Sequence, residues 1–310
     1  MTRRNAAFSS GAERALRAAL HRHLPTSAGD ERGLREALRQ GADHPGKLVR
    51  GCAVLVAARH HGWPLRRAAQ LAVAIEYFHT ASLLLDDLPC MDDATVRRGR
   101  TCVHRLHGEA TAILAALALI NRAYALAHTA LAAEPAAVRR RANALLDRAL
   151  GVSGLVGGQA LDLAFAGSTR SAAMVSRIAA RKTGALFALA VLLPAELARP
   201  NRRERRALNA LCVYWGQAYQ IADDLADLSV ERAAPEKTRG RDRQLARPNL
   251  GLALGAERAA ARLVRLGHQA EQSWHTLEKL GPARWSHLRE LNAALLQRHR
   301  CGVDLDYRAA

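Results

Sequence analysis

Apolar residues recur every three or four positions through most of this chain, the period of a helix with one buried face. The period-two alternation of a half-buried strand is scarce. The pattern predicts a first amphipathic helix from Gly11 to about Leu24, a break over Pro25, Ser27, Gly29 and Asp30, and a second helix from about Glu31. Gly41–Gly46, with Pro45, reads as a loop opening a helix over Lys47–His60, which Gly62-Trp63-Pro64 closes. Arg66–Leu85 is a long, largely apolar helix running straight into Asp86-Asp87, and Pro89 interrupts the hydrogen-bond ladder beyond it. Further helices are expected over Glu109–Ala133, Ala136–Val152, Ala172–Leu193 and Arg203–Ser229. After the polar stretch Glu231–Asn249, with Pro235, Gly240 and Pro248, come Ala256–Leu280 and Ala283–His299. No segment reads as strand–turn–strand, and no linker is long enough to separate domains. The expected fold is all-α, a single large bundle of ten or more helices with residues 1–310 as one domain.

Composition agrees, because alanine, leucine and arginine dominate and lose little rotamer freedom in a helix. Charge adds a question: 46 basic against 28 acidic residues leave a formal +18, which suits a nucleic acid, an anionic membrane surface or a polyanionic substrate. The arginines are scattered, with only short clusters at Arg139-Arg140-Arg141 and Arg202–Arg206. Without a recognition-helix motif or an aromatic-rich basic patch, no nucleic-acid partner is expected. The five cysteines are widely spaced with no CxxC pair, as in a protein kept reduced. The N-terminus lacks an apolar signal core, and the apolar runs Ala110–Ile120 and Thr183–Pro194 fall short of the ~18 residues of a membrane span. A soluble, cytoplasmic protein without a transmembrane segment is therefore expected.

The sharpest chemistry lies in Asp86-Asp87-Leu88-Pro89-Cys90-Met91-Asp92-Asp93, where four carboxylates end an apolar helix and repel one another unless a cation binds. Hard divalent cations take oxygen ligands, and Mg²⁺ combines one or two carboxylates with substrate phosphates. Taken alone, the motif could equally be a solvated acidic loop. A second set, Asp223-Asp224-Leu225-Ala226-Asp227, lies in a segment of helical period. Asp223 and Asp227 fall about 40° apart on one face, and Gln220 stands one turn earlier. Two carboxylate faces on apolar helices suit a metal–diphosphate clamp.

These motifs, in order, resemble the polyprenyl synthetase family, the trans-isoprenyl diphosphate synthases, over about Gly46 to Gly255. The resemblance rests on Gly46-Lys47-Leu48-Val49-Arg50, His79, Asp86–Asp93 followed by Arg97-Arg98-Gly99, Gly158-Gln159-Ala160-Leu161-Asp162, Lys182-Thr183, Tyr219–Asp227 and Lys237–Asp242. It implies the isoprenoid synthase fold, with helices around a central cavity, and condensation of isopentenyl diphosphate with an allylic diphosphate. Asp86, Asp92 and Asp223 would be the main ligands of Mg²⁺, three ions per site by the family's habit, within carboxylate sets that include Asp87, Asp224 and Asp227. Arg97, Lys182, Gln220 and Lys237 would hold the allylic diphosphate, and Lys47, Arg50, His79 and Arg98 the isopentenyl diphosphate. Lys182, Thr183 and Gln220 would stabilise the allylic cation, and a homodimer is implied. Lys47 and Arg50, three residues apart in their helix, point to one side of it. Arg97 and Arg98, being adjacent, diverge.

Several positions depart from the family's pattern. Leu48 and Gly51 replace an arginine and a proline, Leu85 stands where a histidine is common, and Ala116 lies near a usual aspartate. Asp223, Asp227 and Glu231 also match the i, i+4, i+8 spacing of a class I terpene cyclase on the same fold, the alternative reading; a cyclase has no use for the basic set. Product length is read from the helix ending at Asp86. Short-chain members often place an aromatic floor at position 81, where this chain has Ala81 with Ser82 beside it. Tyr77 and Phe78 lie about one 5.4 Å turn deeper, close to one isoprene unit. The expected product is geranylgeranyl diphosphate (C20), with farnesyl diphosphate (C15) next.

Overall fold

A computed structural model of the chain describes residues 2–27, 29–167, 171–228, 249–289 and 291–292, with side chains over 11–27, 29–165, 171–225, 249–289 and 291–292. Helices dominate, and the described residues form two compact units that divide between Arg139 and Arg140.

The first unit holds α1 (Thr2–His23), α2 (Arg32–Asp43), α3 (Val49–His60) and α4 (Leu65–Asp86), then a two-residue hairpin, β1 (Val96–Arg97) with β2 (Arg100–Thr101), then α5 (Val103–His107) and α6 (Glu109–Leu131). Helix α4 packs against α6, α3 and α1. It is buried almost all round, from Ala68 to Phe78, and its many alanines let three helices approach it. Glu31 caps α2, its carboxylate accepting from the amides of Gly33 and Leu34, two of the donors a helix start leaves unpaired.

The hairpin corrects the expectation of no strand–turn–strand. Arg98 (φ 54°) and Gly99 (φ 73°) occupy its two central positions. Positive φ at both is the turn that matches the twist of a two-residue hairpin, so a lone glycine after a basic pair was the signal. Helix α3 is shorter than expected. It starts at Val49 because Gly46 (φ 73°) and Leu48 (φ 49°) both take left-handed backbone, which leaves Lys47 in a turn ahead of the helix. Lys47 and Arg50 therefore do not share a helix face.

Helices α4 and α6 are each long and apolar enough, by length and composition, to cross a membrane. Both are longer than the uninterrupted apolar runs weighed in the sequence, Ala110–Ile120 and Thr183–Pro194. The apolar window of α4 is 78% buried and that of α6 39% buried. On α6 the side chains of Ile113, Leu114, Leu117 and Tyr124 are between 40% and 55% exposed.

Across the division runs α7 (Ala136–Leu150). The second unit continues with α8 (Leu155–Leu163), α9 (Ala172–Lys182), α10 (Gly184–Ala195), α11 (Arg202–Leu228), α12 (Leu250–Leu254), α13 (Ala256–Leu280) and α14 (Pro282–Trp285). Its core gathers Val175 and Ile178 of α9, Ala218, Ile221 and Leu225 of α11, and Ala259, Leu263 and Leu266 of α13 around Phe165 and Leu250. The helix expected over Ala172–Leu193 is two helices, bent by 46° at Thr183. Gly184 opens α10 where α11 passes so near that a Cβ on Gly216 would lie 3.2 Å from the Gly184 Cα.

Candidate functional site

The basic cluster of the first unit is assembled by the turn before α3. The Arg98 guanidinium donates from Nη1 to the His44 carbonyl at 2.8 Å. It lies so close over Gly46 that a Cβ there would meet its Cζ at 2.7 Å. Only glycine fits, for space and for the positive φ. Arg50 reaches in from α3 and His79 from α4. The Arg50 Nη1 and the Arg98 Nη2 each stand 3.4 Å from the His79 Nε2. Burial, and then the guanidiniums of Arg50, Arg98 and Arg97, push the His79 imidazole well below its ordinary pKa and keep it neutral. Two cationic donors converging on Nε2 make that nitrogen the acceptor, so the ring proton belongs on Nδ1.

One residue of this cluster escaped the sequence reading. Glu76 sits on α4 one turn before His79, only 2% exposed, and its Oε1 accepts the Gly51 amide at 2.6 Å. Burial raises its pKa, against the opposing pull of that amide and of Arg50 and Arg98. The signal was a lone acid within the apolar run Leu71–Leu85.

Beyond α4 the chain coils back over its own end. The Asp92 amide donates to the Asp86 carbonyl at 2.9 Å, which sets these two half-buried residues side by side. Asp87 turns the other way. It is 3% exposed, and its Oδ1 accepts Arg97 Nε at 2.8 Å. Asp87, expected among the metal ligands, is thus engaged by Arg97, 100° round the helix from Asp86. Arg97 and Arg98 diverge as expected, to Asp87 and to His44 and His79.

In the second unit α8 crosses α9 at Gly158, where a Cβ would lie 2.4 Å from the Lys182 backbone nitrogen. One turn on, the buried Asp162 takes the Lys182 ammonium at 2.6 Å. The bend at Thr183 then points its hydroxyl at α11. A chain of hydrogen bonds follows. Thr183 Oγ1 donates to Gln220 Oε1, Gln220 Nε2 donates to Asp224 Oδ1, and the Leu250 amide donates to Asp224 Oδ2, each at 2.7 Å. Asp224, expected among the metal ligands, is 2% exposed with both oxygens bonded inside the unit. Asp223 is half-buried beside it. The side chain of Asp227, and Glu231 and Lys237, lie outside the described residues.

The residues read as a chain-length floor face different neighbours. The Tyr77 hydroxyl donates to the Leu20 carbonyl on α1 at 2.6 Å, whereas Phe78 meets Tyr124 of α6 edge to face, with ring centroids 4.9 Å apart. Ala81 is fully buried, and Ser82 donates back to the His79 carbonyl. Tyr77 and Phe78 thus do not form one level.

Among the described residues no three carboxylates, imidazoles or thiols are gathered closely enough to hold an ion by themselves. The hard oxygen donors of Asp86 and Asp92 nevertheless fit Mg²⁺, which keeps several waters and completes its shell with substrate phosphate.

Comparison with known proteins places these motifs. The polyprenyl synthetase family model matches residues 31–278, a span that enters both units. A geranylgeranyl diphosphate synthase of Pantoea ananas is 39% identical over 201 residues, 64% of this chain and 66% of its own length. The farnesyl diphosphate synthase of Escherichia coli is 37% identical over 77% of this chain and 80% of its own. Among solved structures, an FPP/GFPP synthase of Zymomonas mobilis aligns with a TM-score of 0.79 and 29% identity, over 95% of this chain and 99% of that one. A geranyltransferase of Helicobacter pylori, solved with magnesium and isoprenyl diphosphate, has a TM-score of 0.79 at 24% identity, over 94% of this chain and 98% of that one, and shares the fold.

Proposed function

The chain belongs to the polyprenyl synthetase family, and on that footing we propose that it is a short-chain trans-isoprenyl diphosphate synthase, joining isopentenyl diphosphate to an allylic diphosphate. The observation that carries this reading is the convergence of Arg50 and Arg98 on a neutral His79. Such a cluster suits a second diphosphate held without a metal. A terpene cyclase, which takes one diphosphate, has no use for it.

Arg50 and Arg98, with Lys47 from the preceding turn, hold isopentenyl diphosphate by charge-assisted hydrogen bonds. By the family resemblance Asp86, Asp92 and Asp223 would hold Mg²⁺, three ions by the family's habit. Bound there, Mg²⁺ would supply Lewis-acid neutralisation of the charge on the allylic leaving group. Arg97 and Lys182, each already fixed by a buried carboxylate, add N–H donors for the same diphosphate. Because the Gln220 amide is tied to Asp224, its carbonyl oxygen is aimed at Thr183, and the oxygens of both residues present negative dipole ends to the allylic cation. The double bond of isopentenyl diphosphate attacks that cation, and the proton lost from the adduct passes to the released diphosphate. Relatives making C20 and C15 products both match this chain; the small, buried Ala81 favours C20. The exposed apolar stripe of α6 supports a homodimer, which light scattering tests against the 33.6 kDa monomer.

The deciding experiment measures diphosphate release from an allylic substrate with and without isopentenyl diphosphate, followed by chromatography of the dephosphorylated products. A synthase requires the second substrate and yields a chain five carbons longer per cycle. Equal release in its absence, with a cyclic hydrocarbon as product, overturns the reading in favour of a cyclase.

A further inference from the structure

We infer that Glu76 is a positioning residue for the basic cluster: from beneath, its carboxylate holds the Arg50 and Arg98 guanidiniums together while leaving their donors open to a diphosphate. The inference rests on the reading of that cluster as an anion site.

The empty cluster poses an electrostatic problem. Two guanidiniums stand 3.4 Å from the same nitrogen of a neutral imidazole, and that of Arg97 adds to their field. Like charges at such spacing separate unless a counter-charge retains them. Arg97 has its own, in Asp87. Among the described residues neither Arg50 nor Arg98 is ion-paired; Arg98 binds the neutral His44 carbonyl, and the Arg50 Nε is buried without a hydrogen-bond partner. The acid that acts on both is Glu76.

The position of Glu76 is fixed from two sides. Its backbone belongs to α4, three residues before His79, so it lies one turn along the face that carries the imidazole. Its Oε1 is tied to the amide of Gly51, the residue next to Arg50. A Cβ at position 51 would lie 2.7 Å from the Glu76 Cγ and 2.5 Å from the Leu16 Cδ2, so glycine is what brings the α3 backbone onto this carboxylate. A carboxylate in direct contact with the guanidiniums would occupy the N–H groups that an incoming anion needs. Among the described residues Glu76 makes no ion pair with either guanidinium, so it attracts without competing.

The test is Glu76→Gln, which keeps an oxygen for the Gly51 amide and removes the charge. Binding of inorganic diphosphate in metal-free buffer at pH 8 is followed by calorimetry. The sign decides between a positioning role and a bystander. Deleting a negative charge beside an anion pocket tightens anion binding if the carboxylate only contributes to the field. Loss of positioning weakens binding instead, by roughly tenfold, the worth of about one charge-assisted hydrogen bond. The Michaelis constant for isopentenyl diphosphate should rise with it while that of the allylic substrate stays within about twofold, and Glu76→Asp, which restores the charge, should recover part of the loss. Unchanged or tighter diphosphate binding by Glu76→Gln overturns the inference. So does a lowered melting temperature with full affinity in the folded variant, the mark of a purely structural residue. If Glu76→Gln fails to fold, Glu76→Asp decides: a lowered affinity for diphosphate sustains the inference and an unchanged one overturns it. A wild-type enzyme that binds diphosphate yet never consumes isopentenyl diphosphate would defeat the proposed reaction and leave the binding comparison intact.

Discussion

Asp223 and Asp224 are neighbours in one acidic motif, yet Asp224 is buried and bonded through both oxygens while Asp223 is half-buried, and Asp224→Asn separates a structural from a metal-binding role by sign. Asp224 accepts Gln220 Nε2 and the Leu250 amide at 2.7 Å each and is almost wholly buried. Asparagine offers one oxygen and one NH₂ group. Whichever way the amide turns, one buried donor faces another donor. Leaving one such group unsatisfied costs about 1–3 kcal/mol, and bonds to a charged acceptor lie toward the upper end. A loss of about 2 kcal/mol follows, which for a chain of this length lowers the melting temperature by roughly 3 °C. Turnover falls as well, because Gln220 no longer has a fixed amide orientation against Thr183. The Mg²⁺ concentration for half-maximal activity stays put. A metal-binding carboxylate behaves in the reverse way: Asp223→Asn raises the Mg²⁺ requirement, and stability in chelator is retained because a cluster of like charges loses repulsion. Thermal denaturation in excess chelator and Mg²⁺ titration of initial rates read the two effects independently. An Asp224→Asn protein that melts with the wild type in chelator but needs more Mg²⁺ would refute the assignment.

Gly51→Ala should destabilise the fold by about 1 kcal/mol in urea titrations, because overpacking against Leu16 and Glu76 costs about 1–3 kcal/mol and outweighs the ~1 kcal/mol gain in helix propensity; a more stable variant contradicts this packing. The His79 imidazole has a folded pKa below 6.5, so the unfolded chain takes up its proton first as pH falls. His79 therefore costs no stability above about pH 7 and an increasing amount as pH drops through 6.5 toward the lowered value, so the gap between wild type and His79→Gln should narrow or reverse on acidification. Melting curves from pH 8 to pH 5 check this, and a constant gap rejects it. Ala81→Phe should shift the product toward C15, while Phe78→Ala alone lengthens it and Tyr77→Ala leaves it unchanged, since Tyr77 is anchored to Leu20. Product chromatography decides, and an unchanged Ala81→Phe product removes the floor from consideration.

What the sequence determined by itself was local. Periodicity placed α4, α6, α11 and α13 to within a few residues, because a buried helical face writes itself into spacing. The acidic motifs were legible as clusters of carboxylates, the basic residues before and after them through the family resemblance, and the divergence of Arg97 from Arg98 because the two are adjacent. Tertiary structure decided which way each of those side chains finally faces. Asp86 and Asp87 are equivalent in composition, but only one lies on the side of α4 that Arg97 covers. Asp224 is indistinguishable from Asp223 until Leu250, far along the chain, brings its amide against it. The break at Thr183 could not be read from the helical spacing over 172–193, since it falls where α11 passes close to Gly184. Glu76 carried no motif at all. Its meaning comes from Gly51, twenty-five residues earlier, and from two arginines on different elements, because a charge inside a protein is defined by what surrounds it in space.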